Sequence, residues 1–155
     1  MQTAKTEKDC SKTNFNFFGR WRNQHGSEMN LTKFEDGKIS GTFRTGVGAH
    51  EPGEVHLLTG FVAGGLISFT VNFGKYDTLT SWTGQHNQID GHDHIETMWH
   101  LARTIPENGR HDRLWAGVWT GSDTFNRVGD DSQLEHDLSD RPMFIPSYPL
   151  KFSKK

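Results

Sequence analysis

The sequence predicts an all-β protein, an eight-stranded antiparallel up-and-down β-barrel. Short segments of alternating apolar and polar residues recur along the chain, which is the period of a half-buried strand. Turn residues punctuate them at Gly26, Glu35-Asp36-Gly37, Glu51-Pro52-Gly53, Gly64-Gly65, the run from Gly74 to Asp77, Asp90-Gly91 and Pro106 to Gly109. No stretch carries a helical period. Eight strands joined by short links close into a barrel, which leaves no exposed edge.

The pattern places strands over 15–25, 28–34, 38–46, 54–63, 66–74, 79–88, 94–104 and 113–127. In the first, Trp21, Asn23, His25 and Ser27 share one parity, while Arg20, Arg22 and Gln24 take the opposite, solvated face. Asp36-Gly37 and Gly64-Gly65 fit tight hairpins between the second and third and the fourth and fifth strands. Pro52 and Pro106 cannot sit in a central strand and belong to loops. Inward parity then continues with Gly41, Phe43 and Thr45 on the third strand and Phe69, Val71 and Phe73 on the fifth. The sixth offers Thr78, Thr80 and Trp82, the seventh Thr97, Trp99 and Leu101, and the eighth Gly121, Asp123 and Phe125. Hydroxyls, one amide, one carboxylate and several large rings therefore converge on one lumen, an apolar box with a few placed polar groups.

Composition supports a single barrel flanked by two tails. The 155 residues suffice for one domain with a real core. Apolar content is only 32%, but eleven Phe and five Trp supply large buried areas from few positions. The net charge of −2 is interspersed and the Lys and Arg residues form no stripe, so neither nucleic acid nor an anionic membrane is an expected partner. No apolar run approaches the length of a membrane span. The one cysteine, Cys10, lies in a polar N-terminal segment and permits no disulfide within a monomer. Domain boundaries follow: a flexible segment over 1–14, the barrel over 15–128 and an extension over 129–155. The extension joins Pro142, Pro146 and Pro149 to an apolar set, Met143, Phe144, Ile145, Tyr148, Leu150 and Phe152. It is read either as a disordered end or as a segment that docks on the body or a neighbour.

The ordered motifs resemble the avidin and streptavidin family of biotin-binding proteins. They are Gly19-Arg-Trp-Arg-Asn-Gln-His-Gly-Ser27, Asp36-Gly-Lys-Ile-Ser-Gly-Thr-Phe43, Ser81-Trp-Thr-Gly-Gln85, Thr97-Met-Trp-His-Leu101 and Trp119-Thr-Gly-Ser-Asp-Thr-Phe125. A lone Gly-x-Trp is shared with lipocalins, whereas the set in order over 19–128 is specific. The resemblance implies a non-enzymatic binder with no cofactor and biotin as ligand. Asn23 and Ser27 would donate to the ureido oxygen, Asp123 would accept from one ureido N–H and Thr45 from the other. Thr80 would meet the thioether sulfur. Thr78 and the backbone of Ala49-His50, in the loop with Val47 and Gly48, would hold the valerate carboxylate. Trp82, Trp99, Phe73 and Leu101 would wall the apolar body. Trp115 matches the tryptophan that the family lends to a neighbouring subunit, which implies a homotetramer, and the resemblance implies a secreted or periplasmic protein. The N-terminal residues carry no apolar signal core.

Three positions depart from the family pattern. Phe43 replaces a tyrosine that donates to the ureido oxygen, Phe73 replaces a tryptophan, and His25 replaces a small or aliphatic residue. The chemistry also stands without the family, because a buried urea needs its acceptor and both donors paired. Two other readings stay open. One is a lipocalin-like carrier with an aliphatic lumen. The other is a barrel whose pocket is filled by its own tail or a peptide. Among the nine histidines, His92-Asp93-His94 is the best metal candidate, but its place after Asp90-Gly91 reads as a solvated turn. Trp21 and Trp119 read equally well as plain core. No nucleophile has a base at a motif spacing.

Overall fold

The structure is a computed structural model and describes residues 15–46, 53–109 and 113–129. Eight strands form one closed antiparallel barrel in sequential order, β1 (Gly19–Asn23), β2 (Glu28–Glu35), β3 (Lys38–Arg44), β4 (Val55–Ala63), β5 (Leu66–Phe73), β6 (Thr78–Ile89), β7 (His92–Arg103) and β8 (Val118–Arg127). β8 pairs back on β1, with Trp21 opposite Arg127 and Asn23 opposite Phe125. The expected up-and-down barrel is therefore the observed one.

Strand limits agree with the alternation to within two residues except at the starts of β1 and β8. β1 begins at Gly19 rather than 15 and stops at Asn23 rather than 25. β8 begins at Val118, because Leu114–Gly117 forms a 3-10 turn ahead of it. His92, Asp93 and His94 belong to β7 rather than to a turn, because Asp90-Gly91 alone closes the hairpin between Ile89 and His92. Both turn residues take positive φ, +51° and +81°, as a two-residue turn of this hand requires. Asp36-Gly37 turns the same way at +48° and +76°.

The lumen holds the core. Trp21, Met29, Leu31, Ile39, Leu58, Ile67, Phe69, Val71, Ile95 and Phe125 are all buried, one to three from each strand but β6, which contributes Trp82. Inward parity is thus observed for Phe69, Val71, Phe73, Thr80, Trp82, Thr97, Asp123 and Phe125. One end of the barrel is sealed. There the Trp21 indole donates to the Phe17 carbonyl at 3.0 Å and the Arg127 guanidinium covers the Trp21 ring at 4.1 Å. Arg127 donates to Asp93 at 3.0 Å, and Asp93 meets the His86 ring nitrogen at 3.1 Å. Burial pushes the Asp93 carboxyl up, but the Arg127 hydrogen bond and charge, with His86, outweigh it and hold it below the usual carboxylate range. On the outer wall Glu28 bridges Arg22 and Arg20, which likewise lower its carboxyl against some burial.

Candidate lumenal binding site

The site lies toward the other end, where the β1–β2, β3–β4, β5–β6 and β7–β8 connections gather. β1 ends at Asn23 because its side chain folds back on the turn. Asn23 Oδ1 accepts the backbone N–H of His25 at 3.1 Å and of Ser27 at 2.8 Å. This use of the amide oxygen leaves the two Nδ2 hydrogens to donate elsewhere. The Ser27 hydroxyl accepts the Gly46 N–H at 3.0 Å, so its own O–H is left as a donor. Asn23 and Ser27 are both buried. Two neighbouring donors, each with its acceptor already engaged by backbone, suit one carbonyl oxygen.

Asp123 is the acceptor on the facing side, 5% exposed. The Trp82 indole donates to its Oδ2 at 2.8 Å, and Gln24 Nε2 donates to its Oδ1 at 3.2 Å. Thr97 fixes the strand beneath by donating to the Asp123 carbonyl at 3.0 Å. The carboxylate is thus oriented by two donors and keeps lone pairs for a third.

Rings line the rest. Phe69 stacks on Trp82 with centroids 5.1 Å apart, Phe43 tilts against Trp82 at 5.0 Å, and Phe73 meets Phe43 edge-on at 6.1 Å. The His56 ring stands 4.6 Å from Phe73. Trp99 packs half-buried against this cluster, and Leu101 is half-buried one step toward the mouth. Thr45 and Thr78 are half-buried, yet the Oγ1 of each is fully covered and has no hydrogen-bond partner. Among the described residues these are hydroxyls of the site region with unmet capacity. At the rim, the Tyr76 hydroxyl donates to Glu54 and Lys75 lies 3.5 Å away, which together hold the Glu54 carboxyl below its usual range.

Of the expected site residues, Asn23, Ser27, Phe43, Thr45, Phe73, Thr78, Thr80, Trp82, Trp99, Leu101 and Asp123 line this one lumen. Val47, Gly48, Ala49 and His50 lie outside the described residues, as do 1–14 and all of the tail beyond Gly129. His25 is corrected: it is exposed, because the chain turns after Asn23 and the alternation ends there. Trp119 is likewise not core but 53% exposed, with Arg103 4.9 Å over its ring. Trp115 stands on the 3-10 turn at the mouth, 78% exposed. Parity placed Gln24 on the solvated face, where it is indeed exposed, but missed its reach to the site. Its amide bridges to β8, donating to the Ser122 carbonyl at 3.1 Å and accepting the Thr124 N–H at 3.0 Å, besides holding Asp123. The signal was the polar run Asn23-Gln24-His25 ending in Gly26, which marks a turn rather than a strand.

A closed up-and-down barrel with a ring-lined lumen, paired donors and a facing carboxylate defines a small-ligand-binding protein. The avidin-family model matches residues 11–128, and the chain belongs to the avidin family, a family of biotin-binding proteins. Among solved structures it is similar to xenavidin, with 29% identity and a TM-score of 0.65 over 73% of this chain and 98% of that one. It is also similar to rhizavidin solved with biotin, at 28% identity and TM-score 0.59 over 71% of this chain and 98% of that one. Short afifavidin solved with biotin shows 30% identity and TM-score 0.58 over 71% of this chain and 87% of that one.

Proposed function

We propose that this chain binds biotin tightly and reversibly in the barrel lumen, with no chemical turnover. The carrying observation is the set of unmet hydrogen-bond capacities around one apolar box. Asn23 Nδ2 and the Ser27 hydroxyl are left as donors, Asp123 as a charged acceptor, and Thr45 Oγ1 and Thr78 Oγ1 are buried without partners. A cyclic urea matches this set: one oxygen for Asn23 and Ser27, one N–H for Asp123 and one for Thr45. The ligand's fused rings lie among Trp82, Trp99, Phe73 and Leu101, Thr80 faces the sulfur, and Thr78 with the Ala49-His50 backbone holds the carboxylate. A carrier of purely apolar ligands would gain nothing from burying Asn23, Ser27 and Asp123, so the lipocalin-like reading is the weaker one.

The same reading makes the protein a homotetramer. Support comes from the outer barrel wall, where Val55, Leu57 and Phe61 on one face of β4 are 50%, 81% and 60% exposed, and from Trp115 at the mouth. Solitary exposed apolar residues are ordinary, but several large ones together mark an association surface. In this arrangement Trp115 covers a neighbouring subunit's ligand, and residues 15–128 form the binding domain. Titration with biotin while following tryptophan fluorescence tests the proposal, with a long-chain fatty acid as comparison. A saturable change at one biotin per chain is expected. A response to the fatty acid and none to biotin would overturn it.

A further inference from the structure

Trp99 stands in register between Trp82 on β6 and Gly121 on β8. A Cβ built on Gly121 would lie 2.4 Å from Trp99 Cζ2, 2.7 Å from Cε2 and 3.1 Å from Nε1. The fused edge of the indole therefore rests on the bare backbone of β8. Other strand glycines differ in kind. At Gly41 and Gly84 a Cβ would meet the facing strand's backbone, so those glycines serve only sheet closure. At Gly121 all three crowded atoms belong to one side chain of the pocket wall.

Trp99 has little room to retreat toward β6. Trp82 is stacked on Phe69 and its indole N–H is committed to Asp123. A ring lifted off Gly121 moves into the lumen between these fixed groups. We infer that Gly121 is a specificity-determining residue: it seats Trp99 flat against β8 and so sets the width of the slot that accepts the ligand's apolar body. Gly121 touches no polar group of the ligand and acts only through Trp99. It is a positioning residue, and its role rests on the reading of the lumen as a biotin site.

The test uses Gly121→Ala, Trp99→Phe and the double variant, each titrated with biotin and with desthiobiotin. Desthiobiotin keeps the cyclic urea and lacks the sulfur-containing ring, so it is the narrower ligand. Overpacking of a well-filled wall is expected to weaken biotin by roughly tenfold or more in Gly121→Ala. Desthiobiotin should lose clearly less. Phenylalanine lacks the indole atoms that crowd position 121, so Gly121→Ala should cost little in the Trp99→Phe background, a non-additive cycle. Thermal unfolding without ligand is read on the same four proteins. A Gly121→Ala variant that unfolds alone but is rescued by Trp99→Phe also supports the seat. Equal losses for both ligands, additive costs, an unaffected Gly121→Ala, or a double variant that remains unfolded each overturn it. Absence of biotin binding in the unaltered protein is a separate failure, of the function, and the unfolding cycle still reads the contact.

Discussion

Asp123→Asn isolates the charge of the proposed acceptor. Asparagine keeps the shape and one oxygen, so the Trp82 indole still finds an acceptor at the position now 2.8 Å from Oδ2. The amide has no second oxygen. Its NH2 then faces Gln24 Nε2, which now donates to Oδ1 at 3.2 Å, or else the ligand's own N–H. Either way one charged hydrogen bond is lost in a site only 5% exposed. Hydrogen bonds to charged groups contribute about 1.5–3 kcal/mol, so biotin affinity should fall roughly 10- to 150-fold. Most of that change should appear in the dissociation rate, measured by chasing labelled biotin with excess unlabelled ligand. The ligand-free melting temperature should move little, because the indole keeps a partner. Asp123→Ala should instead lower both, since it leaves the buried Trp82 N–H unpaired. An Asn variant that releases biotin at the unaltered rate would refute the assigned role.

Thr45→Val and Thr78→Val should each raise the ligand-free melting temperature while weakening biotin, because each removes a buried hydroxyl that has no protein partner; ~1 kcal/mol in opposite directions is expected by calorimetry. Phe43→Tyr should slow biotin dissociation by up to roughly tenfold, since a phenol on this ring adds a third donor beside Asn23 and Ser27. Trp115→Ala should weaken biotin and reduce the assembly's mass in light scattering, because a 78% exposed indole does little inside its own barrel. Asp93→Asn should destabilise the fold by roughly 1 kcal/mol, because it removes the charge from the group that accepts Arg127 Nε–H at 3.0 Å, while Arg127 keeps its bonds to the Phe18 and Asn16 carbonyls. Asp93 and Glu28 have folded pKa values below their unfolded ones, so their contribution is present above the unfolded value of about 4 and is lost as pH falls through the folded value. The acid limb of a melting-temperature profile should be shallower in Asp93→Asn.

Alternation made most of the barrel legible. Phe69, Val71 and Phe73, or Thr80 and Trp82, sit inward because a strand has only two faces and one must be buried. The same rule failed where the backbone stops being a strand. His25 shares the parity of Asn23 but lies beyond the Asx turn that Asn23 itself makes, and so faces water. Gln24 is exposed as its parity predicts, but as a turn residue it also reaches across to β8 and holds Asp123, which parity does not reveal. Trp119 follows the inward parity of Gly121 and Asp123 but lies near the start of β8, where the 3-10 turn opens the wall. The seating of Trp99 on Gly121 needs the register of β7 against β8, which no single strand's pattern contains.

Isothermal calorimetry with biotin, run on the unaltered protein and on a variant carrying both Asp123→Ala and Ser27→Ala, tests whether the lumen is a urea-binding site. One biotin per chain is expected, with a nanomolar or tighter Kd, a favourable enthalpy from the paired urea, and a large loss in the double variant. Heats no greater than dilution at micromolar protein, or equal binding by both proteins, would contradict a lumen built around a urea.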